Sequence, residues 1–490
     1  MPRSAGLSRR RARSLSGVLV AGMVLIAPPA LADDLRGALV AAYNTNPTLA
    51  AARDSLRATD EGVPLAQADG LPSVTGSASE TEFVKRNANP LSISPARLFS
   101  LGATLNVPVY SGGAVRNAVK AAQGRVTAGQ ADLAGTEASV FAQAVAAYSD
   151  VILGEVVVRL NKAQVQTLTV NLQATSDRFQ IGDLTRTDVA QSQSRLALAR
   201  GSLRSAEANL TSAREQYIQI IGKAPLNLEV PPPLLGLPAS ADEAMAFAME
   251  HNPDLAAARA RARAARSDTN AAGAARLPKI SLFADAARSD YLGSLPPLGY
   301  INLAQSATTA DVGVRASVPL YSGGRPTALV RQAEAREGAA LDGEIGTERL
   351  VIAQVRAAFS SWSAAQEIIA STQTAVDAAA LSLEGVRAEN SVGNRTILDI
   401  LNAEQELVNA QVQLATAKRN GYVAGFSLLA AMGRAGAKDL GLDGGPLYDP
   451  QVHYTHVAGD AWDWDGDGRP KSPASRTVDT PAQDGSIPKY

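Results

Sequence analysis

Two stretches of the chain alternate apolar and polar residues with a period of two. Leu101, Ala103, Leu105, Val107 and Val109 are interleaved with Ser100, Gly102, Thr104, Asn106 and Pro108. Val312, Val314, Ala316, Val318 and Leu320 are interleaved with Asp311, Gly313, Arg315, Ser317 and Pro319. A strand sends successive side chains to opposite faces, so each stretch predicts a strand with one apolar and one polar face. A weaker strand candidate precedes each, Val74 to Ala78 and Ile280 to Ala286, across a polar, proline-containing loop. The pattern then changes. No proline occurs from Val109 to Ala224 or from Thr327 to Gly445, and Ala, Leu, Gln, Glu and Arg fill both intervals. That composition favours helix. Each interval breaks once, at Ile181–Asp188 (IGDLTRTD) and Val392–Asp399 (VGNRTILD), around Gly182 and Gly393. Each therefore predicts a helix of about 65 residues, a glycine turn and a returning helix of about 38, the longer one reaching about 100 Å.

The returning segments carry a seven-residue period: Val189, Leu196, Leu203, Leu210 and Tyr217, and Leu401, Val408, Ala415 and Tyr422. Ala199, Ala206 and Ala213 form a second row of small residues. A sustained heptad with small residues beside it predicts close coiled-coil packing. The heptads alone favour an ordinary helical bundle, but bundles are seldom interrupted by amphipathic strand pairs.

The whole order is written twice. NPTLAAAR at Asn46 matches NPDLAAAR at Asn252, 206 residues on; VPVYSGG at Val107 matches VPLYSGG at Val318, 211 residues on. A tandem duplication is the reading, with repeats at 33–225 and 239–433 joined by a proline-rich linker at 226–238. Residues 434–490 are rich in Gly, Asp, Pro and Ser and predict a disordered or loosely attached tail. Within VP(V/L)YSGG, Pro108 and Pro319 are expected to end a strand, because proline cannot continue the ladder. Gly112, Gly113, Gly323 and Gly324 supply the turn into the helix. Tyr110 and Tyr321 stand where an amphipathic aromatic meets a membrane interface.

Residues 1–32 read as a cleaved signal peptide: five arginines, the apolar run LSGVLVAGMVLIAP, then Ala30-Leu31-Ala32. An uncleaved anchor is the minor alternative. Beyond it no run of about 18 apolar residues is apparent, so no membrane-spanning helix is expected. The formal net charge is −1, and losing the five leader arginines makes it five units more negative, which gives no argument for nucleic acid. There is no cysteine, hence no thiol chemistry and no site for a lipid. No phosphate loop, nucleophile elbow or zinc-protease motif occurs, so neither an enzyme nor a cofactor is expected. Asp463–Gly468 (DWDGDG) opens like a calcium loop, but Ala474 stands at the twelfth position, so an acidic tail without metal is preferred. An exported chain with amphipathic strands implies a barrel, since a bilayer tolerates no open sheet edge. Four strands cannot close alone, because the smallest such barrels have about eight, so several copies must share one barrel. Spacing does not choose between two copies and three.

At this point the chain resembles the TolC-like outer-membrane channel-tunnels. The resemblance is carried by the doubled VP(V/L)YSGG, the NP-L-AAR helix starts, RFQIGDLTRTDVAQSQSRLALAR (Arg178–Arg200) and SVGNRTILDILNAEQELVNAQ (Ser391–Gln411). It implies an α+β membrane protein of the bacterial outer membrane. A homotrimer would build a twelve-stranded barrel, four strands per chain, continued by a long α-helical coiled-coil tunnel in the periplasm. It implies the exit duct of a tripartite efflux or type I secretion system, docked through a periplasmic adaptor to an inner-membrane pump. The second-half tip and the lack of a lipidated cysteine lean toward the type I secretion branch. It also implies a gate at the periplasmic tip, at Thr187, Asp188, Asn390, Arg395, Asp399 and Asn402, with adaptor contacts at the turns holding Gly182 and Gly393. Arg395 is expected to pair with Asp188 of a neighbouring hairpin. Read without the resemblance, Thr187-Asp188 and Thr396 are expected to be helix caps, and both roles can coexist. Asn390 and Asn402 depart from the family pattern, where an aromatic and a second acid are familiar, so a weaker lower gate and cation-binding ring are expected. The rival reading is a periplasmic adaptor with helical hairpins, which would be soluble and carry one hairpin rather than two matching halves.

Overall fold

The structure, a computed structural model, describes residues 34–85, 94–298, 300–442, 447–464, 466, 468–469 and 471–487. The leader at 1–32 lies outside the described residues. The first half runs α1 (Leu35–Thr45), α2 (Pro47–Asp60), α3 (Gly62–Ala68), β1 (Ser73–Glu82), β2 (Arg97–Tyr110), α4 (Ala114–Gln180) and α5 (Arg186–Ile221). The second runs α6 (Ala241–His251), α7 (Pro253–Gly273), β3 (Lys279–Asp290), β4 (Ser306–Ser317), α8 (Arg325–Ser391) and α9 (Ile397–Met432). A short α10 (Pro450–Val457) follows. Both long helices have 67 residues and both returning helices 36, close to the expected lengths.

The four strands form one antiparallel sheet in the order β1-β2-β3-β4. Its register sorts residues by face. Val74, Leu105, Ala284 and Val312 stand side by side, as do Gly76, Ala103, Ala286 and Ala310. The rows between are polar: Thr75, Thr104, Asp285 and Asp311, then Ser77, Gly102, Ala287 and Thr309. Directly opposed residues share a face, so the sheet is apolar on one side and polar on the other. The apolar side is bare, with Val74 72%, Val312 84% and Val314 66% exposed. Both edge strands lack a further partner among the described residues.

Each half closes through its Asn-Pro pair. Asn46 caps α2 by accepting from the Thr48 and Leu49 amides, and its Nδ2 donates to the Ile220 carbonyl near the end of α5 at 2.9 Å. Asn252 caps α7 through the Leu255 amide and donates to the Ala431 carbonyl near the end of α9, also at 2.9 Å. The proline supplies a pre-set first helical position. One side-chain amide thus caps the second helix of the half and satisfies a terminal carbonyl of the last.

Three expectations are corrected. Pro108 does not end its strand: β2 continues to Tyr110, with a register irregularity between Pro108 and Tyr110 that absorbs the missing donor. Pro319 does lie past the end of β4. An 18-residue window of α4 is apolar enough to cross a bilayer in composition. In the fold that helix instead buries Phe141, Ala144, Val145, Tyr148 and Val151 in the main core, with Leu39 of α1 and Leu210 and Tyr217 of α5. The tail, where described, is fastened to the shaft at several points. Ala435, Ala437 and Leu442 are buried in that same core, and the Ala437 amide donates to the Glu137 carboxylate. Tyr43 Oη accepts from the Tyr448 amide at 2.8 Å, and Arg214 donates to the carbonyls of Asp484 and Ser486. A few small apolar residues and backbone hydrogen bonds hold it, which composition does not register.

Candidate functional site

The two long-helix turns are built alike. Gly182 and Gly393 both have φ of 84°, the left-handed conformation that glycine adopts at no steric cost. After each turn a capping box starts the returning helix. The Thr185 amide and Oγ1 donate to Asp188 Oδ2 at 2.8 and 2.6 Å, and the Asp188 amide donates back to Thr185 Oγ1. Thr396 and Asp399 repeat this at 2.9 and 2.8 Å. The cap in the first half is therefore Thr185 rather than Thr187, which is exposed two residues further on; Thr396 is a cap as expected. Hydrogen bonds from Thr185 and Thr396 hold both carboxyls below the usual carboxylate range.

Arginines brace the turns from outside. Arg178 grips Asp183 through Nε at 2.7 Å and Nη2 at 2.6 Å. Arg395 Nε donates to Glu389 Oε2 at 2.6 Å, and Asn390 Nδ2 donates to the Arg395 carbonyl at 2.6 Å. Glu389, with Asp399 further off, raises the Arg395 pKa. Within the chain Arg395 thus pairs with Glu389, not Asp188. Asn390, Arg395 and Asp399 come together around one turn; Thr187 and Asp188 belong to the other.

Above the turns the two hairpins are tied by polar links. Arg195 of α5 donates to Asn402 Oδ1 of α9 at 2.6 Å. Glu404 of α9 is buried, its side chain 4% exposed, and accepts from Arg387 of α8 at 2.9 Å and Asn171 of α4 at 3.2 Å. Leu168, Leu196, Ala199 and Leu401 pack beside these links. Sequence reasoning missed Glu404, Arg387, Asn171 and Arg195. The signal was present: Glu404, three residues after Leu401 and four before Val408, shares their apolar helix face, where a lone charge needs a partner.

At the other end of the shaft, Gly113 and Gly324 cap α4 and α8 with φ of 83° and 81°. Gly112 has φ 66° and lies so close to Leu277 that a Cβ would sit 2.8 Å from the Leu277 Cβ. Gly323 has φ 60° and open space around it. Tyr110 and Tyr321 are exposed at the strand–helix junctions, 46% and 90%.

A sheet with one bare apolar face, set on a shaft of two long helical hairpins, defines an outer-membrane channel protein. The comparisons agree. The profile described as "Outer membrane efflux protein" matches residues 38–223 and again 246–434, and the chain belongs to that family. It is similar to the outer membrane efflux protein BepC of Brucella suis, 33% identical over 447 residues, 91% of this chain and 95% of BepC. It is similar to the outer membrane protein TolC of Escherichia coli, 30% identical over 312 residues, 60% of this chain and 61% of TolC. The crystal structure of the Campylobacter jejuni CmeC outer membrane channel shares the fold, with a TM-score of 0.73 and 17% identity over 87% of this chain and 89% of that one. The protein is thus an outer-membrane channel that serves as the exit duct of an export system, and the adaptor reading falls away.

Proposed function

We propose that three copies of this chain close a twelve-stranded barrel and a helical tunnel, arisen by tandem duplication and gated at its periplasmic tip. The observation that carries this reading is the four-stranded sheet, bare on its apolar face and open at both edges. Such a sheet is stable in lipid only when further copies complete it. Support also comes from α8, which leaves Leu341, Ile345, Leu350, Ile368 and Leu381 exposed along its length; a neighbouring copy would cover them. At the tip, three copies would bring the Asp188 and Asp399 carboxylates into one aqueous constriction, which favours cations. Exposed Arg395 is placed to hold that constriction shut from the neighbouring hairpin. The turns at Gly182 and Gly393 are the surface for a periplasmic adaptor, and through it an inner-membrane pump that selects the cargo.

Chemical cross-linking of the detergent-extracted protein is expected to give a ladder ending at three; one ending at two or one overturns the trimer. In planar bilayers Arg395→Ala is expected to raise single-channel conductance, and unchanged conductance removes Arg395 from the gate. Deleting the gene and profiling secreted proteins beside drug sensitivity assigns the cargo class.

A further inference from the structure

The tail climbs the shaft toward the sheet. Tyr448 meets Tyr43 of α1 and lies under Arg53 and Arg57 of α2; His453 meets Asp60 at the end of α2; Tyr454 packs on the cluster of Val63, Ala122 and Val126. On α4 the same climb runs from Gln130, bonded to Gln451 at 3.1 Å, to that cluster, which Val119 also joins. Both tracks lead to where β1 starts at Ser73 and α4 starts at Ala114. The end of α10 at Val457 therefore faces the barrel foot. By Gly468 the chain is back beside Arg57, Asp449 and His453, around one open cavity. Residues 458–464 follow the end of α10 that faces the sheet and precede that return.

That stretch carries Trp462 and Trp464, 71% and 88% exposed. Val119 is five residues into α4, about 8 Å from the helix start. Trp462 is five residues past α10, two residues beyond a turn that the Asp460 amide closes on the Val457 carbonyl at 3.1 Å. The stretch leaves a rigid arm: His453 and Tyr448 fasten α10, and Asp460 Oδ1 fixes the start of the turn by accepting from the Trp462 amide at 3.1 Å. Tryptophan is the side chain that gains most at the headgroup level, with an apolar ring and one N–H to satisfy.

We infer that Trp462 and Trp464 seat in the lipid interface around the foot of the barrel, so that the tail pins the shaft to the periplasmic surface of the bilayer. This rests on the reading that the sheet lies in that bilayer. The chain has no cysteine to carry an acyl chain, and a tryptophan pair provides a protein-borne anchor. Acidic Asp460 precedes the pair and Asp463 lies between its two members, so the expected surface is zwitterionic rather than strongly anionic.

The test uses the three tryptophans of the full-length protein reconstituted in phosphatidylethanolamine-rich vesicles containing acyl-brominated lipid. Trp362→Phe, which leaves only the tail pair, is expected to lose emission to the brominated lipid and to be shielded from aqueous iodide. Trp462→Phe/Trp464→Phe, which leaves only Trp362 on the shaft, is expected to be insensitive to the lipid. A third variant places Val312→Trp on the apolar sheet face with the native tryptophans changed to phenylalanine. If that reporter is quenched by lipid while the tail pair is quenched only by iodide, the anchor is overturned and the barrel reading stands. If neither reporter senses lipid, the barrel reading fails and the anchor with it.

Discussion

Arg387 on α8 holds Glu404 on α9 at 2.9 Å, and Glu404 is the buried partner: its side chain is 4% exposed against 53% for the arginine. Glu404 also receives Asn171 from the first hairpin, so one carboxylate is shared by three helices. The exposed guanidinium is screened by water, which keeps the Coulombic share of the pair small. The larger quantity is the cost of leaving the buried carboxylate short of donors.

Arg387→Ala is therefore expected to destabilise the packing of α8 on α9 by about 1–3 kcal/mol, the cost of an unsatisfied buried acceptor. Hydrogen exchange should speed up across the end of α8 and the start of α9, and Arg387→Lys should retain part of the protection. Unchanged exchange in the alanine variant would mean that Glu404 finds its donors elsewhere.

The capping boxes predict a pH response at the tip. Asp188 and Asp399 titrate below their unfolded value because Thr185 and Thr396 donate to the charged forms. A depressed carboxylate contributes stability that is complete above the unfolded pKa, about 3.9, and is lost as pH falls through the folded one. A spin label on Ile181→Cys, clean because the chain has no other cysteine, should keep constant mobility from pH 8 to 5 and loosen only below about pH 4. In Thr185→Ala the same label should already be mobile at pH 7.

Much of this architecture was legible from residue order. Helix lengths followed from the proline-free intervals, and the strand faces from Leu101–Val109 and Val312–Ala316, because period and composition are local properties; Val318 and Leu320 continue the alternation but lie past the end of β4. The tail was not legible. Ala435, Ala437 and Leu442 show no periodicity, and their burial depends on surfaces supplied by α1 and α4, far away in sequence. Thr185 was passed over as a cap because Thr187-Asp188 offered the same chemistry two residues on; the box geometry, with the acid at the third helical position, decides between them. Glu404 was legible only as an anomaly, since its partners lie on other helices.

Two glycines with nearly the same backbone should respond differently to alanine. Gly393 has φ 84° with nothing near its missing Cβ, whereas Gly433 has φ 82° and a Cβ there would fall into the His251 carbonyl. Gly393→Ala is expected to cost only the left-handed backbone penalty, about 1–2 kcal/mol. Gly433→Ala must in addition push α6 off the end of α9, which breaks the seat of Asn252 on Ala431. Thermal unfolding in detergent should rank Gly433→Ala well below Gly393→Ala; equal values would show that the α6–α9 corner is soft.

The tail's clasp predicts the opposite pH sign to the tip. Asp60 is fully buried at the end of α2, and its Oδ1 has no hydrogen-bond partner among the described residues. Burial raises its pKa, and the His453 Nδ1, 2.9 Å from Oδ2, only partly offsets that. Glu61, 3.9 Å from His453 Nε2, competes for the same imidazole, and Arg57 faces Tyr448 rather than the carboxylate. An acid whose pKa is raised on folding binds more protons in the native state, so its contribution declines as pH rises from about 4 toward the folded value. Asp60→Asn keeps an acceptor for His453 without the buried charge. Its tail should resist carboxypeptidase trimming equally from pH 4 to 7, while the wild-type tail becomes easier to trim across that range. A variant that tracked the wild type would assign the pH dependence to another group.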